Sequence, residues 1–307
     1  MGTKRVIILK GHTRAIRSLA FSPDSKLLAS ASDDLTVCLW DTPSQTEVFS
    51  WPCASVGPAA VTFSPDGKLL AWASLVTRVW LIDNPEEPEL KSESGGEQIC
   101  FAPDGKVLAQ QGHEEPVSRW KVGTWDELPG GWGGSREDND NQQFPTGCIA
   151  YHPNGKLLAS SFAVLGKRGY DSVIYLWDAK SGKLRGKLHA EFAVAHPTAI
   201  AFSPDGALLA GIYGPALRVW DLATASEIAA RVPSKKHFKG LAFTPDGRCL
   251  VTVSNDKTVR LWDTASWAEV GGYEWQIGNL GAVAVAPDGF RMAAGGSTGK
   301  IVIWDVE

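Results

Sequence analysis

The chain has 307 residues, 44% hydrophobic and 21% charged, which excludes a disordered or collagen-like polymer and leaves two domains or one large β or α/β domain. Thirty Lys and Arg against thirty-four Asp and Glu give a formal charge of −4, so the overall balance draws the chain to neither nucleic acid nor anionic surfaces. A chain of this size buries roughly three-quarters of its unfolded surface and needs neither disulfide nor metal to hold a core.

At the N-terminus, Met1 to Arg5 precede only four apolar residues, Val6 to Leu9, too few for the core of a signal peptide. Gly2 lacks the Ser or Thr that myristoylation expects, because Val6 stands there, and no apolar run is long enough to span a membrane. The five cysteines, Cys38, Cys53, Cys100, Cys148 and Cys249, are odd in number, widely spaced and without Cys-x-x-Cys. They read as reduced core thiols in a cytoplasmic protein.

The first expected element is a strand over Thr3 to Leu9, followed by Gly11-His12. From there a unit of about forty residues recurs. It opens on Phe21-Ser22-Pro23-Asp24 and closes on Trp40-Asp41, then repeats as Phe63-Ser64-Pro65-Asp66-Gly67 to Trp80 and Phe101-Ala102-Pro103-Asp104-Gly105 to Trp120. The fourth unit runs from Tyr151-His152-Pro153-Asn154-Gly155 to Trp177-Asp178, and the fifth from Phe202-Ser203-Pro204-Asp205-Gly206 to Trp220-Asp221. The sixth runs from Phe243-Thr244-Pro245-Asp246-Gly247 to Trp262-Asp263, and the seventh from Ala286-Pro287-Asp288-Gly289 to Trp304-Asp305.

Each Pro-Asp-Gly is turn chemistry: Pro sets its own φ, Asp bonds its local backbone, and Gly accepts a positive φ. Each anchor is therefore a hairpin tip, followed by short β-rich runs such as Leu27-Leu28-Ala29 and Val37-Cys38-Leu39-Trp40, with four strands per unit.

These anchors resemble the Trp-Asp (WD) repeat family, and the resemblance covers the whole chain. It implies an all-β fold: one seven-bladed β-propeller over residues 1–307, of four-stranded antiparallel blades anchored at Pro23, Pro65, Pro103, Pro153, Pro204, Pro245 and Pro287. Because the last unit lacks an outer strand and the chain begins with an unassigned one, the N-terminal strand is expected to complete the last blade and close the ring.

His12, Ser30 and Asp34 are the residue types of a hydrolase triad. The resemblance implies another role, a buried hydrogen-bonded tetrad of His12, Ser30, Asp34 and Trp40 that ties the strands of one blade together. The sixth unit keeps Thr252, Asp256 and Trp262, and the fourth Ser160, Asp171 and Trp177, neither with the His in register. Units two, three, five and seven put Trp72, Gln110, Gly211 and Ala294 where the hydroxyl should be, which marks a divergent member.

Other chemical motifs fail. Gly-Lys is followed by Val, Leu, Leu and Ile, never the Ser or Thr of a P-loop. Asp138-Asn139-Asp140-Asn141 opens like a calcium loop but lacks its Gly and its closing Glu, and His113-Glu114-Glu115 lacks the second His of a zinc hydrolase. No catalytic residue, metal or cofactor is expected.

Two segments exceed the period, 125–145 entering the fourth unit and 161–172 within it, both expected as loops on the face that carries the b-to-c and d-to-a connections. They bring Gly130-Gly131-Trp132, Glu137, Asp138 and Asp140, then Lys167, Arg168 and Tyr170. The basic segment Ser234-Lys235-Lys236-His237-Phe238-Lys239 enters the sixth unit on the same, top face. The resemblance adds partner-contact positions: Arg17 and Asp33 in unit one, Glu97 in three, Tyr170 in four, and His196, Thr198 and Tyr213 in five. Units six and seven add His237, Lys239, Asn255 and Asn279. Trp51, Trp132 and Trp275 lie outside the periodic set, as exposed anchors or as blade packing.

The expectation is a non-catalytic scaffold, monomeric by itself, that binds a protein or peptide on its top face, mainly over blades three to six. Neither nucleic acid nor membrane is expected as a partner. The alternatives are an enzyme or small-ligand binder at the mouth of the central channel, and a purely structural module of an assembly.

Overall fold

The structure is a computed structural model that describes residues 5–53, 57–92, 95–112, 117–129, 132, 143–166, 169–190 and 196–306. Among them there is no helix; twenty-seven strands form seven antiparallel sheets. After β1 (Val6–Leu9), blade one comprises β2 (Ile16–Phe21), β3 (Leu27–Ser32), β4 (Thr36–Asp41) and β5 (Thr46–Pro52). Blade two is β6 (Ala60–Phe63), β7 (Leu69–Ala73), β8 (Thr77–Leu81) and β9 (Asn84–Ser92); blade three is β10 (Gln98–Phe101), β11 (Val107–Gln111) and β12 (Ser118–Lys121). Blade four is β13 (Gln143–Tyr151), β14 (Leu157–Gly166), β15 (Gly169–Asp178) and β16 (Leu184–Ala190). Blade five is β17 (Ala199–Phe202), β18 (Leu208–Tyr213), β19 (Ala216–Asp221) and β20 (Ser226–Arg231). Blade six is β21 (Phe238–Phe243), β22 (Cys249–Ser254), β23 (Thr258–Asp263) and β24 (Glu269–Glu274), and blade seven is β25 (Leu280–Val285), β26 (Arg291–Gly296), β27 (Ile301–Asp305) and the N-terminal β1.

The inner strands touch in a closed cycle, β25 to β2, β6, β10, β13, β17, β21 and back to β25, which makes the assembly a seven-bladed propeller. β1 closes it by pairing antiparallel with β27, Val6 opposite Trp304 through Leu9 opposite Ile301. At the bottom, Arg291 reaches from blade seven to blade one, donating to the Ser25 carbonyl at 2.6 Å and to Thr42 Oγ1 at 2.8 Å. Blade three has three regular strands; its outer edge is held by single bridges, Trp120 to Glu127 and Val117 to Trp132.

Burial follows the layering. Second strands such as β3 and β26 are almost wholly buried, because neighbouring blades cover both faces, while outer strands such as β5 and β24 are mostly exposed. The core lies between blades: Ala29, Val37 and Leu39 of blade one pack with Val61, Leu70 and Trp80 of blade two. In five blades the pairing slips by a residue beside the periodic Trp, a bulge that strengthens the local twist.

The hairpin tips follow from their sequence. Ser22 Oγ donates to Asp24 at 2.7 Å while accepting the Leu27 N–H at 2.9 Å, and Ser64, Ser203 and Thr244 repeat the bond to Asp66, Asp205 and Asp246. At four tips the glycine lies against the tip proline of the preceding blade, Gly67 on Pro23, Gly105 on Pro65, Gly155 on Pro103 and Gly247 on Pro204, while Gly206 lies against the His152 ring.

The long segment of the fourth unit differs from expectation. Residues 161–166 and 169–172 are not loop but the continuation of β14 and β15, paired through to Gly166 opposite Gly169. Phe162, Val164 and Tyr170 are residue types that favour strand. The 125–145 segment likewise ends as strand, with Gln143 to Pro145 paired to Phe162 to Val164. Glu137, Asp138, Asp140, Lys167, Arg168 and the His113 segment lie outside the described residues.

Candidate partner-binding face

In blade one, β3 turns into β4 through Asp33, Asp34 and Leu35, with Leu35 at a φ of 71°. Asp34 caps this turn: its carboxylate accepts the Thr36 N–H at 3.1 Å, the Thr36 hydroxyl at 2.6 Å and the Thr13 N–H at 2.8 Å. A chain of bonds runs inward from it. His12 Nδ1 lies 2.9 Å from Asp34 Oδ2, His12 Nε2 lies 2.7 Å from Ser30 Oγ, and the Trp40 indole N–H donates to Ser30 Oγ at 2.7 Å. With the proton on Nδ1, every group is satisfied: Trp40 donates to Ser30, Ser30 to His12, and His12 to Asp34. Burial works to raise the Asp34 pKa, but the bonds from Thr36, Thr13 and His12 outweigh it and hold the carboxyl below its ordinary value.

Ser, His and Asp thus stand at the distances of a hydrolytic relay, yet Ser30 is 0% exposed in the middle of a buried strand. A nucleophile needs an open side from which a carbonyl can approach, and Ser30 Oγ faces Trp40 instead.

The other blades solve the same buried Trp differently. In blade four the Trp177 N–H reaches Ser160 at 2.7 Å; Asp171 lies within β15 instead of at a turn, because the hairpin is longer. In blade six Trp262 donates to Thr252 at 2.9 Å, and Arg260 and Ser234 replace the histidine: Arg260 meets Asp256 at 2.7 Å and Ser234 Oγ donates to it at 3.1 Å. Burial works to raise the Asp256 pKa, but Arg260 and Thr258 hold it well below the carboxylate range. In blade two Trp72 stacks on Trp80 at 4.0 Å and 8°, so aromatic contact stands where a hydrogen bond would. Gln110 of blade three bonds Thr77 of blade two and the Gly95 carbonyl, a tie between blades. In blade five Trp220 donates to the His189 carbonyl at 3.1 Å. Trp304 of blade seven packs against Trp275 at 5.5 Å, its buried N–H finding no acceptor among the described residues.

The top face is built on these turns. Pairing skips Arg17 in blade one and Lys239 in blade six, so each is the extra residue of a β-bulge, a device that re-aims a side chain. Arg17 Nε donates to Asp33 at 2.6 Å at the exposed rim. Lys239, His237 and Asn279 are exposed and Asn255 is half-buried; His237 lies over Gly214 at the junction of blades five and six.

Glu97, His196 and Thr198 meet around one cleft of about 330 Å3, spanning blades three, four and five and floored by Gly147 and Cys148. Gly147 has a φ of 85°, a backbone conformation that favours glycine, and its missing Cβ leaves room for the Glu97 carboxylate. The Cys148 thiol donates to the Pro197 carbonyl at 3.1 Å, and burial pushes its pKa to about 12. Burial similarly raises Cys38 and Cys53 to about 11 and Cys100 to about 12, so none of these four is an activated nucleophile. All five cysteines are free thiols: Cys38 and Cys148 are buried, Cys53 and Cys100 are half-buried and packed against the core, and Cys249 is half-buried.

Tyr213 corrects the expectation: it is 3% exposed, packed within the core of blades four and five. The turn from β18 to β19 has two residues where blade one has three, which leaves Tyr213 in the strand register of Ser32 instead of the rim register of Asp33. Its ring fills the space that Gly211 leaves beside Trp220. Tyr170 belongs to β15, but its side chain lies outside the described residues. Trp51 and Trp132 are buried and Trp275 half-buried, blade packing in all three cases.

Sequence reasoning missed Arg260 and Ser234. Ser234 stands nine residues before Phe243, as His12 stands before Phe21, and that register could have revealed it. No cluster of His, Cys, Asp and Glu suited to a metal ion occurs among the described residues. Nor do they form a helix long and apolar enough to cross a membrane.

The family model described as WD domain, G-beta repeat matches residues 3–41, 144–178 and 234–263. Those stretches fall on blades one, four and six, the three in which the periodic Trp bonds a Ser or Thr hydroxyl. The small ribosomal subunit protein RACK1 of Drosophila melanogaster is 31% identical over 122 residues, 37% of this chain and 35% of that protein. The target of rapamycin complex subunit wat1 of Schizosaccharomyces pombe is 27% identical over 161 residues, 52% of this chain and 48% of that one. The chain thus spans about a third to a half of the length of these two relatives. The guanine nucleotide-binding protein subunit beta-1 of Nicotiana tabacum is 25% identical over 317 residues, 97% of this chain and 70% of the relative.

Proposed function

The chain is a WD-repeat β-propeller, and from that premise we propose that it is a non-catalytic scaffold that binds a protein or peptide on its top face, mainly over blades three to six. The observation that carries this is the top face itself, where polar side chains of several blades stand on turns fixed by buried hydrogen bonds. Glu97, His196 and Thr198 share a cleft that crosses three blades, and His237 and Lys239 continue the surface around the ring. Rigid turns present side chains with little ordering entropy left to lose, which favours recognition of another macromolecule. The printed names of the three relatives support the reading, since each is a component of a larger assembly.

The tetrad has a structural role in this account. His12, Ser30, Asp34 and Trp40 pin the strands of blade one, and the burial of Ser30 denies it a substrate. The setting proposed is cytoplasmic, in keeping with cysteines that remain thiols.

Affinity enrichment from the source lysate tests the reading, comparing wild type with Glu97→Arg plus Thr198→Arg, which fills the cleft, and with Lys26→Glu plus Lys68→Glu on the bottom face. Retention of a protein by wild type and the bottom variant, and its loss from the cleft variant at equal melting temperature, is expected. Retention by all three, or by none, would contradict it.

A further inference from the structure

Two equivalent rim positions recur from blade to blade, and blade six fills them in an unusual way. In blade one the bulge residue Arg17 meets Asp33 at 2.6 Å, so the two charges cancel within the blade. The same positions in blade six hold Lys239, again the bulge residue, and Asn255 at the head of the turn. An amide replaces the carboxylate, and Lys239 forms no ion pair among the described residues. The next turn residue, Asp256, does not make up the deficit, because Arg260 at 2.7 Å and Ser234 at 3.1 Å already occupy it.

Lys235, Lys236, His237 and Lys257 are exposed on the same turns. None of the four lysines of this blade top forms an ion pair among the described residues. The flanking tops add no described carboxylate: blade five presents Thr198 and Gly214, and blade seven Asn279, Ser297 and Thr298. Glu274, at the top end of the outer strand β24 opposite Thr258, is the exposed carboxylate of this blade top, and it forms no ion pair with these lysines among the described residues. A chain with a formal charge of −4 therefore concentrates positive charge on one rim, aimed outward by a bulge.

We propose that the top of blade six is the docking point for an acidic segment of a protein partner, a short run of Asp and Glu that pairs with Lys236 and Lys239 and is flanked by Lys235 and Lys257. The proposal rests on the top-face reading above and narrows it to one blade and one class of partner sequence. A polypeptide is favoured over nucleic acid by the side chains present. The cations are lysines, and Phe238 is 1% exposed, which leaves the His237 imidazole as the exposed ring of the segment and no exposed Phe, Tyr or Trp there for a base to stack on. A long polyanion would also meet the net negative charge of the remainder.

The test is fluorescence anisotropy with a labelled peptide of about ten alternating Glu and Asp residues, at about 0.1 M salt, where charges are screened beyond about 10 Å. Its Gln/Asn counterpart and an oligo-dT of similar charge are run beside it. Wild type is expected to bind the acidic peptide and not the neutral one. Lys236→Glu plus Lys239→Glu should weaken binding by about tenfold or more, and Lys236→Gln plus Lys239→Gln by less, while the bottom-face double variant Lys26→Glu plus Lys68→Glu, of identical net charge, stays within about twofold. No binding of the acidic peptide by wild type, equal losses in the blade-six and bottom-face variants, or tighter binding of oligo-dT would overturn the proposal. If the acidic peptide is not bound while the cleft variant still loses its retained protein, the top-face reading stands and the blade-six inference falls.

Discussion

Ser30 accepts a bond from Trp40 and makes one with His12, so it ties β3 to β4 and to the segment that enters blade one. Ser30→Ala leaves a buried indole N–H and a buried imidazole without their partner, so it should cost about 1–3 kcal/mol in urea unfolding. The double variant with Trp40→Phe should be less destabilised than the sum of the singles, and strict additivity would contradict the shared network. Asp34 and Asp256 add a pH dependence of definite sign. Their folded pKa values lie below the ordinary one, so their contribution is fully present above about pH 4 and is lost as pH falls through the folded values. The acid limb of the stability profile should be shallower in Asp34→Asn than in wild type, measured by urea midpoints at stepped pH. The tetrad residues were legible because their types recur at fixed offsets. The Arg260 and Ser234 replacement was not, since a guanidinium and a hydroxyl that share the Asp256 carboxylate leave no motif.

At the scale of the element, the tips were readable from Pro-Asp-Gly, and their contacts across blades make a controlled comparison possible. Gly206 and Gly289 have nearly the same φ, 75° and 76°, but a Cβ at Gly206 overlaps the His152 ring of blade four while one at Gly289 meets nothing within 4 Å. Gly206→Ala should therefore cost about 1–3 kcal/mol more than Gly289→Ala, the excess being steric. Equal losses would show that the tips do not pack across blades. Turn length was harder to read. One residue fewer between β18 and β19 moves Tyr213 from rim to core, and a period-2 strand converts that single deletion into a change of face. The long hairpin of blade four was equally hidden, because extra length counts the same whether it is loop or paired strand.

For the whole molecule, the spacing of the repeats made the seven-bladed ring and its closure by an N-terminal strand legible before any contact was known, while the choice of face depends on side chains that only the folded ring brings together. Closure joins residues nearly three hundred positions apart through β1 on β27, and 266 apart through Arg291 on Ser25. Deleting residues 1–9 uncovers the edge of β27 and should lower the melting temperature by more than about 5 °C and promote self-association. An unchanged melting temperature would contradict closure by β1. Arg291→Ala, which removes only the bottom clamp, should lower it less.

The central claim is that the top of this ring is its working face. The most direct measurement is hydrogen–deuterium exchange on the chain with and without the protein it retains from lysate. The account predicts new protection in the top-face segments at 95–97, 196–198, 232–239 and 255–257, with the bottom tips at 22–26, 64–68 and 203–207 unchanged. Protection confined to those tips or to the outer strands would contradict it.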